Sequence, residues 1–190
     1  MSDPATPETP LVLASIDRWH EWLIRNEDSS DGIWLMLAKK GVTSPTSLTY
    51  QQALDEALCS GWIDGQRNRF DEHTFVQRFT PRRARSLWSR RNVEIVARLA
   101  GDDRLRPRGV AEIERAKSDG RWDRAYAGPA TAQPPEALTI ALKTAPAAEA
   151  AFARLTRTER FGALLPLLTA PDDDVLQRRV RRLIARLTSP

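Results

Sequence analysis

The stretch TYQQALDEALCSG, residues 49–61, carries helix signals at both ends, and this constrains everything around it. Thr49 followed by Gln52 is a capping box, in which two side chains satisfy backbone N–H groups left free at a helix start. Ala53, Leu54, Ala57 and Leu58 then form an apolar stripe at helical spacing, and Gly61 supplies the left-handed residue that stops it. Immediately afterwards the period changes. Trp62 to Phe70 and Thr74 to Thr80 carry aromatic and β-branched residues among polar ones and are separated by Asp71, Glu72 and His73, which reads as a β-hairpin. By strict alternation Trp62, Asp64, Gln66, Asn68 and Phe70 share one face, while Ile63, Gly65, Arg67 and Arg69 share the other. Neither face is cleanly apolar, which leaves room for a working surface.

The flanking sequence supplies the partners of this helix and hairpin. Ser15 caps a helix with Ile16, Trp19 and Leu23 on its inner face, ending near Asn26. After the turn signal Asp31-Gly32, the dense run IWLMLAKK reads as a strand. Pro81 closes the hairpin, and Ser86 or Ser89 caps a helix carrying Val93, Val96 and Leu99. Pro107 opens and Gly120 stops another, with Val110 and Ile113 between them and Trp122 and Tyr126 packing just beyond. Residues 127–135, AGPATAQPP, are uncharged and rich in Pro, Ala and Gly, as expected of a linker. Short amphipathic segments follow, with a second capping box at Thr156 and Glu159 and with Pro166 inside a helix, which it should kink or shorten. The expected fold class is therefore α+β. A main domain over residues 12–126 holds about three antiparallel strands packed with helices, and an all-helical C-terminal region spans 136–190. Residues 1–11, rich in Pro, Thr and acidic side chains, read as a disordered lead-in.

A chain of 190 residues suits one core with an annex, and 41% hydrophobic and 28% charged residues suit a folded protein. The net charge of +4 is mild, so local clustering matters more than the whole-molecule field. No apolar run approaches the roughly 20 residues of a membrane span, and the N-terminus lacks the basic and apolar regions of a secretory signal. With one cysteine, Cys59, no intrachain disulfide forms. These features together lead to a cytoplasmic expectation. Two histidines, His20 and His73, with one cysteine give no zinc spacing, the glycines form no phosphate-cradling fingerprint, and neither metal nor cofactor is expected.

The chemistry concentrates between Gly61 and Arg91, where arginines stand at 67, 69, 78, 82, 83, 85, 90 and 91 and lysine is absent. Guanidinium groups bind carboxylates and phosphates bidentately. Here they alternate with the hydroxyls of Thr80, Ser86 and Ser89, ahead of a helix N-terminus that also favours anions. The candidate ligand-binding residues are accordingly Arg67, Arg69, Arg78, Arg82, Arg83 and Arg85 with those hydroxyls. Trp62 and Trp88 shape the site, either as core residues or as stacking platforms. Asp64 reads as a carboxylate orienting an arginine, and in an enzyme it would be the general base. Three alternatives remain open for the cluster: a solvated positive face, an anion site, or a protein contact surface. Cys59, in the last turn of its helix, reads as a small buried hydrophobe. The last helix carries Arg178, Arg179, Arg181, Arg182 and Arg186 around an apolar stripe. It reads as ordinary packing with a charged outer face, or as peripheral contact with anionic lipid or nucleic acid.

The motifs EALCSGWIDGQ, QRFTPRRARSLWSRRN and AKSDGRWDRAY, with TRTERF and RRVRRL in the tail, resemble the YdeI/OmpD-associated family, also labelled bacteriocin-protection proteins. The likeness runs from about residue 12 to 187. It implies a role in resistance to antimicrobial peptides and in envelope stress, with no agreed reaction or cofactor, and the first expectation is a non-enzymatic protective protein. Such a role suits an anionic small molecule or acidic partner at the arginines. The alternatives are nucleic-acid binding and an enzyme acting on a phosphorylated or carboxylated small molecule. Two positions depart from the family pattern. Pro171-Asp172-Asp173-Asp174-Val175-Leu176 replaces a basic turn before the last helix, and Pro166 interrupts the helix before it.

Overall fold

The computed structural model describes residues 9–189, in two compact units. The first comprises residues up to Ser86 and Glu94–Asp119; the second comprises Leu87–Val93 and Gly120 onward. The lead-in expected over 1–11 lies mostly outside the described residues, but Leu11 is bridged in parallel to Leu35. Among the described residues no helix is long and apolar enough to cross a membrane.

In the first unit, α1 (Ile16–Asn26), β1 (Ile33–Ala38), α2 (Tyr50–Cys59), β2 (Trp62–Arg69) and β3 (Thr74–Pro81) fall where their sequence signals stand. Both halves of the capping box at Thr49 and Gln52 are present, and Gly61 takes φ 68° beyond the end of α2, a conformation that favours glycine. The hairpin turn is held by Asp71, whose Oδ1 accepts the amides of His73 and Thr74 at 2.7 and 2.6 Å. The three strands are antiparallel in the order β1-β3-β2, so the hairpin's second strand is central. The α+β class with a small three-stranded sheet holds. The helix side of the sheet is aromatic: Trp19 stacks on Trp22 at 5.3 Å and lies 5.6 Å from Phe79, and Trp22 meets Trp62 edge-on at 5.7 Å. Both deeply buried indoles find acceptors, Trp19 at the Ala53 carbonyl and Trp62 at the Glu27 carbonyl.

The sheet departs from the expected alternation at one place. Asp64 pairs with Phe79 and Arg67 with Gln77, so Gly65 and Gln66 together oppose Arg78 in a β-bulge. The extra residue flips the parity of everything after it. Asp64, Arg67 and Arg69 therefore share the face of Phe75, Gln77 and Phe79, whereas alternation puts Asp64 opposite the two arginines. Gln77, only 2% exposed, donates from Nε2 to the Gly65 and Gln66 carbonyls at 2.8 and 3.2 Å and so satisfies the bulged backbone.

Helix α3 (Arg90–Gly101) starts in the second unit and continues in the first, where α4 (Pro107–Ser118) follows it. Ser89, rather than Ser86, caps α3: its Oγ accepts the Asn92 amide at 3.2 Å. α4 packs on the end of α2 closely enough that a Cβ at Gly109 would lie 2.2 Å from the Cys59 carbonyl oxygen. In the second unit the Pro- and Ala-rich stretch 127–135 has no helix or strand, and four helices follow: α5 (Glu136–Lys143), α6 (Pro146–Arg154), α7 (Arg157–Leu168) and α8 (Asp173–Thr188). Their common core is Leu138, Leu142, Phe152, Leu164, Leu167, Val180 and Leu183. The capping box at Thr156 and Glu159 starts α7, and Pro166 stands in its last turn, two residues before Leu168. The acidic turn that departs from the family pattern is a helix cap, with Asp172 Oδ1 accepting the Val175 amide at 2.7 Å.

Candidate functional site

The hairpin arginines are built into the sheet in two directions. Arg67 and Arg69 are exposed on the bulge-corrected face, and the Arg67 guanidinium lies 3.9 Å over the Phe75 ring, which fixes its plane. Arg78 pairs with Trp34 and so points to the opposite face with Thr80, beside Gly32. Partial burial holds its guanidinium below the usual arginine value, with Asp31 opposing that shift. Arg83 and Arg85 are exposed in the segment after the sheet, where Ser86 Oγ accepts the Arg83 amide at 2.9 Å. Arg82 is different: it is 4% exposed and stands inside the fold. Trp62 is fully buried and Trp88 2% exposed, so both are core residues and neither offers a ring face for stacking. Trp88 and Ser89 belong to the second unit, where Trp88 packs 4.9 Å from Trp122.

Asp64 takes a partner other than the expected arginine. The Tyr50 hydroxyl, at the first residue of α2, donates to its Oδ2 at 2.7 Å. That bond ties β2 to the start of α2.

A second charged cluster was hidden in the α2 stripe. Residues 53–59 are buried without a break, and two of them are Asp55 and Glu56. Glu56 accepts from Arg104, from Arg106 Nη1 at 3.2 Å, and meets His20 Nδ1 at 2.8 Å. Asp55 accepts from Arg98 at 2.7 Å and Gln51 at 2.6 Å. Arg106 also closes the C-terminus of α2, donating to the Glu56 carbonyl and to Ser60 Oγ, both at 2.8 Å, while Ser60 bonds Glu27. A cation at the negative pole of a helix is favourable, and here it adds a second donor to the Glu56 carbonyl, which also accepts the Ser60 amide at 3.3 Å. Burial by itself would push the Glu56 carboxyl up, but the bonds from His20, Arg104 and Arg106 outweigh it and hold it below the usual glutamate value. The sequence signal was available: adjacent acids in the middle of a core helix require buried cations. Cys59 beside them is 1% exposed, and burial, reinforced by Glu56, pushes its thiol up to about 11. It therefore behaves as the small hydrophobe expected. This cluster is internally saturated, a clamp between α2 and the chain leading into α4. Among the described residues no group of three or more His, Cys, Asp or Glu is placed to hold a metal ion.

The arginines of the first unit thus divide sharply. Outside the hairpin and the segment after it, Arg18, Arg25, Arg98, Arg104, Arg106, Arg108 and Arg115 each have a carboxylate within 3.2 Å. Among the described residues Arg67, Arg69, Arg78, Arg83 and Arg85 make no such pair.

An α+β unit with arginines left unneutralised on its hairpin, joined in sequence to an all-helical tail, is the class these features define. The chain belongs to the family described as Domain of unknown function (DUF8412), whose model matches residues 11–112. Residues 131–189 match a second family model, Bacteriocin-protection, YdeI or OmpD-Associated. That match bears out the resemblance drawn from the motifs, over a narrower span than 12–187. No curated protein and no solved structure matches the chain.

Proposed function

We propose that this is a non-enzymatic protein of the bacteriocin-protection type that holds an anionic ligand or acidic partner on the exposed hairpin arginines, chiefly Arg67 and Arg69. The observation that carries this reading is the division just described. The first unit supplies a close carboxylate to every arginine outside the hairpin region, and leaves Arg67 and Arg69 exposed without one. Arg67 is further oriented by the Phe75 ring, so part of the entropy of fixing a long side chain is already lost in the free protein. Placement on one strand, two residues apart and on one face, lets both guanidinium groups reach a single carboxylate or phosphate group. The match of residues 131–189 to the bacteriocin-protection model supports the protective role. Arg82, Trp62 and Trp88 are omitted from the binding surface because they are buried.

Calorimetric titration of the full chain with inorganic phosphate, citrate, a polyglutamate peptide and a short single-stranded oligonucleotide tests this. The expected result is saturable binding of an anionic probe that disappears in the Arg67→Met/Arg69→Met variant, with thermal unfolding unchanged. Binding indifferent to that double change, or no binding at all, would overturn the proposal. Oligonucleotide binding whose affinity falls steeply with salt would replace it with the nucleic-acid reading.

A further inference from the structure

In the second unit, α7 and α8 enclose a groove of about 330 Å³. Its base is apolar, formed by Ala163, Leu167 and Leu183, each at most 6% exposed. Its α8 side carries Arg179, Arg182 and Arg186. Steps of three and four residues put these on one helical face, so three cations line one edge of one apolar trough. Among the described residues no carboxylate lines it.

The end of α7 explains how one of these arginines is placed. The amides after it bond elsewhere, Thr169 to the Leu165 carbonyl and Ala170 to that of Leu167. The Pro166 carbonyl oxygen instead accepts a hydrogen bond from Arg179 Nη1. Arg179 is thereby held against the groove, while Arg182 and Arg186 remain exposed and, among the described residues, form no ion pair. At the other edge Gly162 leaves the trough open, since a Cβ there would meet nothing within 4 Å.

A trough with an apolar base and cations of one sign selects a ligand with an alkyl body and an anionic head. Its volume lies within the range of small-molecule pockets, about 300–1,000 Å³. We propose that the groove binds a single-chain amphipathic anion of the fatty-acid or alkyl-phosphate class, with the chain along Leu167 and Leu183 and the head among Arg179, Arg182 and Arg186. This site is separate from the hairpin arginines and does not depend on them.

The test titrates the full chain with dodecanoate below its micelle concentration, with dodecyltrimethylammonium as the same chain bearing a cationic head, and with anionic phosphatidylglycerol vesicles. Saturable one-to-one binding of dodecanoate, without binding of the cation, is expected. The Arg182→Gln/Arg186→Gln variant should weaken it by at least about tenfold, because each lost charge-assisted bond is one of the strong ones. Gly162→Leu should weaken it as well while raising helix propensity, so the fold survives. Thermal unfolding of each variant distinguishes loss of the site from loss of the fold. Equal binding of the cationic amphiphile, full binding by the arginine variant, capture by vesicles alone, or loss of binding in Arg67→Met/Arg69→Met instead would each overturn the proposal.

Discussion

Gln77 and Gly65 are joined across the hairpin by a 2.8 Å hydrogen bond from the Gln77 side-chain amide to the Gly65 carbonyl oxygen. That bond holds the bulge that turns Arg67 and Arg69 onto the face of Asp64. Replacing Gln77 by Leu keeps the volume but removes the side-chain amide that bonds the Gly65 and Gln66 carbonyls. The expected loss is about 1–3 kcal/mol in urea unfolding, together with weaker anion binding by the hairpin. A variant of wild-type stability would show that the bulge holds itself.

Two glycines make opposite predictions for the same change. Gly109→Ala drives a Cβ to 2.2 Å from the Cys59 carbonyl oxygen, a backbone atom that cannot rotate aside, so α4 must move off α2. A loss of about 1–3 kcal/mol or more is expected. Gly162→Ala, inside α7 with nothing within 4 Å of the new Cβ, should instead gain up to about 1 kcal/mol from helix propensity. Paired thermal melts of the two variants are the check.

Glu56 makes stability depend on acid. Its carboxyl is held below the usual value in the folded protein, so its ionised form is more favourable there than in the unfolded chain. The contribution is complete above the ordinary glutamate pKa of about 4.3 and is lost as pH falls through the lower folded value. Unfolding midpoints measured from pH 7 to pH 3 should fall with acid, and Glu56→Gln should flatten the part of that fall due to this group. At neutral pH the same variant leaves Arg104 and Arg106 without their shared carboxylate, at a cost of roughly 3–5 kcal/mol.

Cys59 should resist a disulfide reagent such as Ellman's at pH 8 in the folded protein, because its thiol is buried and pushed up to about 11. Full reaction is expected on adding denaturant. Rapid labelling of the native protein would mean that the end of α2 opens readily.

Local signals specified the elements because capping and turn chemistry act between residues near in sequence. Thr49 with Gln52, Thr156 with Glu159, Gly61 and the Asp71 turn each place an element boundary without help from the rest of the chain. The aromatic core of the first unit was legible too, since Trp19, Trp62 and the β1 run are too large and apolar to lie outside. The candidate site was legible only in part. Composition marks the arginines, but whether each is buried, neutralised or exposed depends on neighbours far away in sequence. Arg82 is buried, and Asp64 finds Tyr50. The acids of α2 draw cations from 43 to 50 residues further on, as Arg98, Arg104 and Arg106 show.

The sequence by itself determined the α+β order of elements, the ends of the main helices, the hairpin and the family likeness, because those rest on contacts spanning a few residues. The tertiary structure decided which arginines keep an unneutralised charge and which face of the sheet they occupy. The physical reason is that a single bulged residue reverses alternation, and only the packed sheet, with Gln77 inside it, determines where that residue goes.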